Sequence, residues 1–184
     1  MAHSCDNLIE TPSLWEFLIQ VKKEGRVQKI GCSLYSTEQL EKLLHLNFIP
    51  DLVQLPYSLL DRKFEEYLPK LKALGTEVHV RSVFLQGLYF KDPSSLPQKL
   101  LPLREDLLFL HQKCTSSGIT MAALALNFAL ENKNIDHVIV GVDTIAQLKQ
   151  NLALLSDSKV DGTLLEEIRK INVSNIELLN PANW

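Results

Sequence analysis

Ser33, Gln54, Arg81, Ser82 and Gly141 lie in or close the strand-like runs 29–33, 51–56, 77–82 and 137–141. A hydroxyl and a carboxamide near strand ends can hydrogen-bond a polar ligand group directly. A helix that starts just after a strand offers its N-terminus to a phosphate. Arg81 can stack on a flat ring, bind a carboxylate or pair with an inward-facing acid. Such groups bind and orient a ligand.

The other chemistry-bearing residues offer less. Cys5, Cys32 and Cys114 are widely separated, odd in number and without a C-x-x-C pair, so neither a disulfide framework nor a zinc site is expected. His45, His79, His111 and His137 have no metal-ligand spacing. His79 shares a strand face with Arg81 by period-two alternation. No metal ligands are assigned, and the strand-end His and Asp ligands of a metal-dependent hydrolase do not converge in the sequence.

Helical sequence must carry these runs. Thr11 and Pro12 start a first helix in which Leu14, Leu18 and Val21 recur at helical spacing before Gly25 stops it. Ser36 and Gln39 make a capping box in front of Leu40, Leu43 and Leu44. Pro69 should kink or divide the stretch from Phe64 to Leu74. Residues 88–102, with Pro93, Pro97 and Pro102, read as an excursion over a barrel mouth, followed by helices at 103–117 and 120–132. Asp143 or Thr144 caps a helix to about residue 155, and Asp161 caps a last one through residue 171. Strands alternating with helices make an α/β protein of about four parallel βα units plus C-terminal helices.

The 184 residues are 46% hydrophobic and 22% charged, enough for a folded core. A complete (β/α)8 barrel takes about 250 residues. The net charge of −3 with scattered lysines and arginines gives no footprint for nucleic acid or an anionic membrane. With no long apolar run and no signal-peptide pattern, a cytoplasmic protein is expected.

Four motifs in order carry a family resemblance. Residues 25–33, with Gly25, Ile30, Gly31, Cys32 and Ser33, resemble the fifth strand of aldo-keto reductases. Val53, Gln54, Tyr57, Ser58, Leu59, Leu60, Asp61 and Arg62 resemble its sixth-strand segment. Residues 80–88 are similar to the seventh, and Val138 to Gly141 with Gln147, Leu148 and Asn151 to the eighth.

The resemblance implies a partial TIM (β/α)8 barrel, strands five to eight, as a single NADP-dependent oxidoreductase-type domain with the N-terminal half of the barrel missing. It implies NAD(P)H-dependent reduction of an aldehyde or ketone by an Asp, Tyr, Lys and His tetrad. His3 resembles the histidine; the other three would precede residue 1, and Tyr35, Tyr57, Tyr67 and Tyr89 do not sit at the tyrosine's position. Ser33 and Gln54 resemble the pair that holds the nicotinamide carboxamide. Leu34 replaces a frequent asparagine, and Arg81 a frequent aromatic that stacks on the ring. Ser82, Phe84, Gln86 and Gly87 resemble the loop beside the pyrophosphate. Gly141, Gln147, Gln150 and Asn151 resemble the adenosine end, with Gln147 where the family has an arginine.

NADP (NADPH) is thus the family expectation, with NAD as the other cofactor, since no basic residue follows Gly141 until Lys149. The isolated chain is expected to keep cofactor-site residues and to be inactive alone. The partner is a small carbonyl substrate, with self-association through open barrel edges as a further expectation. The alternative is a non-catalytic binding or assembly module derived from a half-barrel.

Overall fold

The computed structural model describes residues 1–157 and 160–184. Its sheet runs in the order β1 (Gly31–Ser33), β2 (Leu52–Pro56), β3 (Glu77–Arg81) and β4 (His137–Val138). β1, β2 and β3 pair in parallel, with Gly31 opposite Leu52 and Leu52 opposite Glu77. Parallel pairing forces crossover connections, and helical segments lie between successive strands.

Along β3 and most of β2 burial alternates by face, while all three residues of β1 are buried. Cys32, Val53, Leu55, Val78 and Val80 are fully buried, while Leu52, Gln54, Glu77, His79 and Arg81 alternate with them and are half-buried. The first set holds the sheet to its core; the second carries the polar groups. Gly31 is required by space: a Cβ there would lie 1.8 Å from the Leu52 carbonyl oxygen.

Two compact units divide the chain. The first comprises Met1–Pro56, Lys63–Arg81 and Lys133–His137. It contains α1 (Cys5–Glu10), α2 (Pro12–Lys23), α3 (Thr37–His45) and α4 (Leu68–Ala73). The Ser36–Gln39 capping box forms in both directions. Pro69 falls in the first turn of α4 after a separate 3-10 turn at Glu65–Tyr67, so the stretch is divided where the missing N–H demands.

The second unit comprises Tyr57–Arg62, Ser82–Asn132 and Val138–Trp184. Its excursion is a series of 3-10 turns, Leu85–Phe90, Pro93–Ser95 and Gln98–Leu103. α5 (Arg104–Ser117), α6 (Met121–Leu130), α7 (Ile145–Asp157) and α8 (Gly162–Arg169) follow. Thr120 caps α6, and Asp161 caps α8. α6 buries Ala123, Leu124, Ala125, Leu126, Phe128 and Ala129, as its nearly continuous apolar sequence requires.

Three expectations needed correction. The fourth strand is two residues long instead of five. An apolar β-branched run signals burial, whereas a strand also needs a neighbour to complete its ladder. Leu14 is 41% exposed, and Trp15 turns inward to stack on Phe48 at 5.3 Å. Thr11 makes no side-chain cap because α1, which has no clear sequence signal, runs directly into it: the Thr11 N–H closes α1 on the Asn7 carbonyl at 3.1 Å.

Candidate functional site

In the first unit, Ser33, Gln54 and His79 stand in register across β1, β2 and β3, and so on one face of the sheet. Ser33 is 4% exposed and Gln54 half-buried, which gives a hydroxyl and a carboxamide side by side in a restricted setting. Backbone bonds fix them: Ser33 N–H donates to the Ala2 carbonyl at 3.0 Å, and the Gln54 carbonyl accepts from Leu34 N–H at 2.8 Å. Ala2 forms a parallel bridge with Cys32 on the other side of β1 from β2, and His3, exposed, follows it at once.

Arg81 lies one pairing beyond Leu55 and Val80, opposite Pro56. Its guanidinium covers the Tyr35 ring at 4.4 Å and donates to the Leu34 carbonyl at 3.2 Å. The stacking partner in the structure is thus the chain's own tyrosine, and the two unusual residues at 34 and 81 are bonded to each other.

In the second unit, Ser82, Phe84, Gln86 and Gly87 share one tight loop. Ser82, Leu85 and Gln86 have φ of 63°, 45° and 52°, in the left-handed region that side chains disfavour, and Gly87 has 78°. Each such non-glycine residue stores of order 1–3 kcal/mol, and strain of this kind gathers at ligand clamps. Phe84 is half-buried against Phe90 at 5.5 Å.

Gly141, Gln147, Gln150 and Asn151 share the junction of β4 with α7. Thr144 Oγ1 accepts from Gln147 N–H at 3.1 Å, and Gln147 Oε1 accepts from Asp143 N–H at 2.7 Å and Thr144 N–H at 3.3 Å. Of the two residues that could cap α7, Thr144 does so. Gln147, a cofactor candidate, already spends its carbonyl oxygen on this cap. Gly141 and Gln150 are exposed and Asn151 half-buried.

Other motif residues prove structural. Tyr89, fully buried, donates its hydroxyl to Ser58 Oγ at 2.8 Å and accepts from Leu60 N–H at 3.1 Å. Burial pushes its hydroxyl far above the ordinary tyrosine range. Arg62 donates to the Leu59, Arg169 and Ile171 carbonyls, tying the segment after β2 to the end of α8. The Cys5 thiol and burial both push the Cys32 thiol up, which keeps it protonated and unreactive. All three cysteines are free.

Sequence spacing also missed a cluster. Glu77 Oε1 lies 2.7 Å from His79 Nε2 and 3.2 Å from His137 Nε2, with the two rings edge to face at 4.7 Å. Lys29 holds the carboxylate's other oxygen. The Lys29 hydrogen bond, then that of His79, draw the Glu77 carboxyl down to about 2. The alternation of Glu77 and His79 and the start of the fourth strand at His137 were legible; that both imidazoles meet one carboxylate was not.

The aldo/keto reductase family model matches residues 1–173. The chain is similar to the NADH-specific methylglyoxal reductase of Escherichia coli (strain K12), 28% identical over 168 residues, covering 82% of this chain and 51% of that protein. It is also similar to L-galactose dehydrogenase of Arabidopsis thaliana, 28% identical over 122 residues, covering 62% and 37%. Among solved structures it matches an apo aldo-keto reductase from Bacillus halodurans with a TM-score of 0.68 and 23% identity, over 82% of this chain and 53% of that one. The chain spans about half the length of the curated relatives it matches first. No helix among the described residues is long and apolar enough to cross a membrane.

Proposed function

The chain belongs to the aldo/keto reductase family, and from that premise we propose that it carries the dinucleotide-binding part of an NAD(P)H-dependent carbonyl reductase. The observation that carries this reading is the Ser33–Gln54 pair, in register on adjacent strands with a hydroxyl and a carboxamide on one face. Such a pair can hydrogen-bond both ends of a carboxamide, so the residues fit a nicotinamide. In the second unit, taken by itself, the strained loop from Ser82 to Gly87 and the start of α7 resemble the family segments for pyrophosphate and adenosine, with Gln150 and Asn151 at the adenine end. The cofactor supplies the hydride.

Between the two cofactors the residues favour NADH. Asp143 and the Gln147 cap stand where a 2′-phosphate would want a basic group, and Lys149 is the first cation of the helix. The relative named NADH-specific points the same way. NADPH, the family expectation, is the competing ligand.

Reduction also needs a proton donor at the carbonyl oxygen. His3, beside the Ala2 bridge, is the proposed counterpart of the family histidine. The tyrosines are committed elsewhere: Tyr57 and Tyr89 are buried, Tyr67 donates to Glu41 and Tyr35 lies under Arg81. The 184-residue chain alone therefore binds dinucleotide without reducing a carbonyl. Three free thiols fit a cytoplasmic protein.

Fluorescence titration of the purified chain with NADH and NADPH in parallel tests this. Saturable, NADH-preferring binding without aldehyde turnover is the expected result. No binding of either, or steady turnover by the chain alone, rejects it.

A second reading, an assembly module, is favoured by exposed apolar residues at the β4–α7 end. Ile145 is 75%, Leu152 54%, Leu148 45% and Val142 40% exposed. Recurrence at residues 145, 148 and 152 puts three of them on one helix face. Sedimentation decides: a strict monomer over a wide concentration range rules this reading out.

A further inference from the structure

We propose that Glu77, His79 and His137 form a binding site for a divalent first-row transition ion, zinc being the type case. The three donor atoms lie within 4.8 Å of one another. Both imidazoles aim Nε2 at the same carboxylate oxygen, at 2.7 and 3.2 Å. An ion with bonds of about 2.0–2.2 Å takes the place of the protons shared there once the two imidazoles close toward each other by about an ångström, since tetrahedral donors lie roughly 3.3–3.6 Å apart. Two imidazoles and one carboxylate are a ligand set that zinc accepts with a fourth position open to water.

The backbone arranges this set before any ion arrives. Glu77 and His79 alternate on one face of β3, with Val78 between them turned to the other face. Asp136, next to His137, clamps Val78 on both sides: its carboxylate accepts the Val78 N–H at 2.7 Å, and its own N–H donates to the Val78 carbonyl at 2.9 Å. The third ligand, next in sequence to this clamp, is thereby held near the other two. The His137 side chain is 61% exposed, which leaves an entry from solvent.

Lys29 is the built-in competitor. It keeps Glu77 ionised, but it places a positive charge on the same carboxylate. Its removal should therefore strengthen ion binding, whereas a merely structural Lys29–Glu77 pair predicts no effect on metal. The ion would staple the two-residue β4 to β3, a role separate from that of the Ser33–Gln54 pair.

Cobalt(II) titration of the full chain, followed by zinc competition, tests the site. One equivalent should produce visible absorption of tetrahedral strength that zinc abolishes. His137→Gln, at an exposed position, should weaken binding by roughly tenfold or more, and Lys29→Met should tighten it severalfold. Cys114→Ser should bind as the parent does. In the unaltered chain, zinc should shift the imidazole proton resonances of two of the five histidines. No saturable first equivalent, unaltered binding in His137→Gln, loss of binding in Cys114→Ser, or unmoved imidazole resonances overturns the proposal.

Discussion

Asp51 and Asp136 do the same work two strands apart. Asp51 precedes β2; its carboxylate accepts the Ile30 N–H at 2.9 Å and pairs with Lys22 of α2 at 2.5 Å. Asp136 precedes β4; its carboxylate accepts the Val78 N–H at 2.7 Å and pairs with Lys72 of α4 at 2.5 Å. In each case one carboxylate ties the preceding strand segment, and the helix that leads into it, to the start of the next strand. The lysines are 40% and 35% exposed in their side chains, so the charged part of the bond is screened.

Asp51→Asn and Asp136→Asn are each expected to destabilise the chain by about 1 kcal/mol, since a backbone N–H loses a charged acceptor while the ion pair contributes little. Urea unfolding of both variants and of the double variant measures this. Their hydrogen-bond partners differ and they share only the charge of Lys29, so the losses should add to within a few tenths of a kcal/mol, about 0.3–0.5.

Asp51 also sets a pH dependence. Burial would raise its carboxyl, but the Lys22 and Ile30 hydrogen bonds outweigh that and hold it below the ordinary value of 3.8. The unfolded chain then binds more protons in the interval below 3.8, so the contribution is complete above that pH and lost as pH falls through the lower folded value. Urea midpoints between about pH 6 and pH 3 should fall less steeply in Asp51→Asn than in the parent.

Gln54→Ala should weaken NADH binding roughly tenfold through loss of the carboxamide contact, with Ser33→Ala weaker in effect. The fluorescence titration reads both. Equal binding by parent and Gln54→Ala would remove this residue from the site.

Gln147 has two candidate roles that separate by substitution. Gln147→Leu should destabilise the chain by about 0.5–1 kcal/mol through loss of the α7 cap. Gln147→Arg should raise affinity for NADPH relative to NADH, because a guanidinium can pair with the 2′-phosphate. Unfolding reads the first and paired titrations the second.

Gly31→Ala should cost about 3 kcal/mol or prevent folding, since its Cβ would meet the Leu52 carbonyl oxygen between β1 and β2. Tyr89→Phe should cost about 1–2 kcal/mol by leaving the buried Leu60 N–H without its acceptor. Urea unfolding measures both.

Much of the fold was written locally. Ser36 with Gln39 and Asp161 cap helices where their types indicate, because a cap depends on a few adjacent backbone groups. The alternation in β2 and β3 separated buried valines and leucines from Gln54, His79 and Arg81, because side chains on a strand alternate sides. The order of four family motifs was equally visible, and with it the candidate dinucleotide residues.

What the linear chain determined was therefore the element types, their caps, the polar face of each strand and the family. What only tertiary structure decided depended on partners distant in sequence. The ladder shortened β4, Trp15 displaced Leu14 from the inner face of α2, and Tyr35 took the guanidinium of Arg81. The placing of β4 beside β3 also brought His137 to Glu77 and His79 across a long separation in sequence. Local signals arise from contacts within a turn of helix or a pair of strand residues, whereas register and packing are set by the whole sheet closing at once, and that alone puts two imidazoles on one carboxylate.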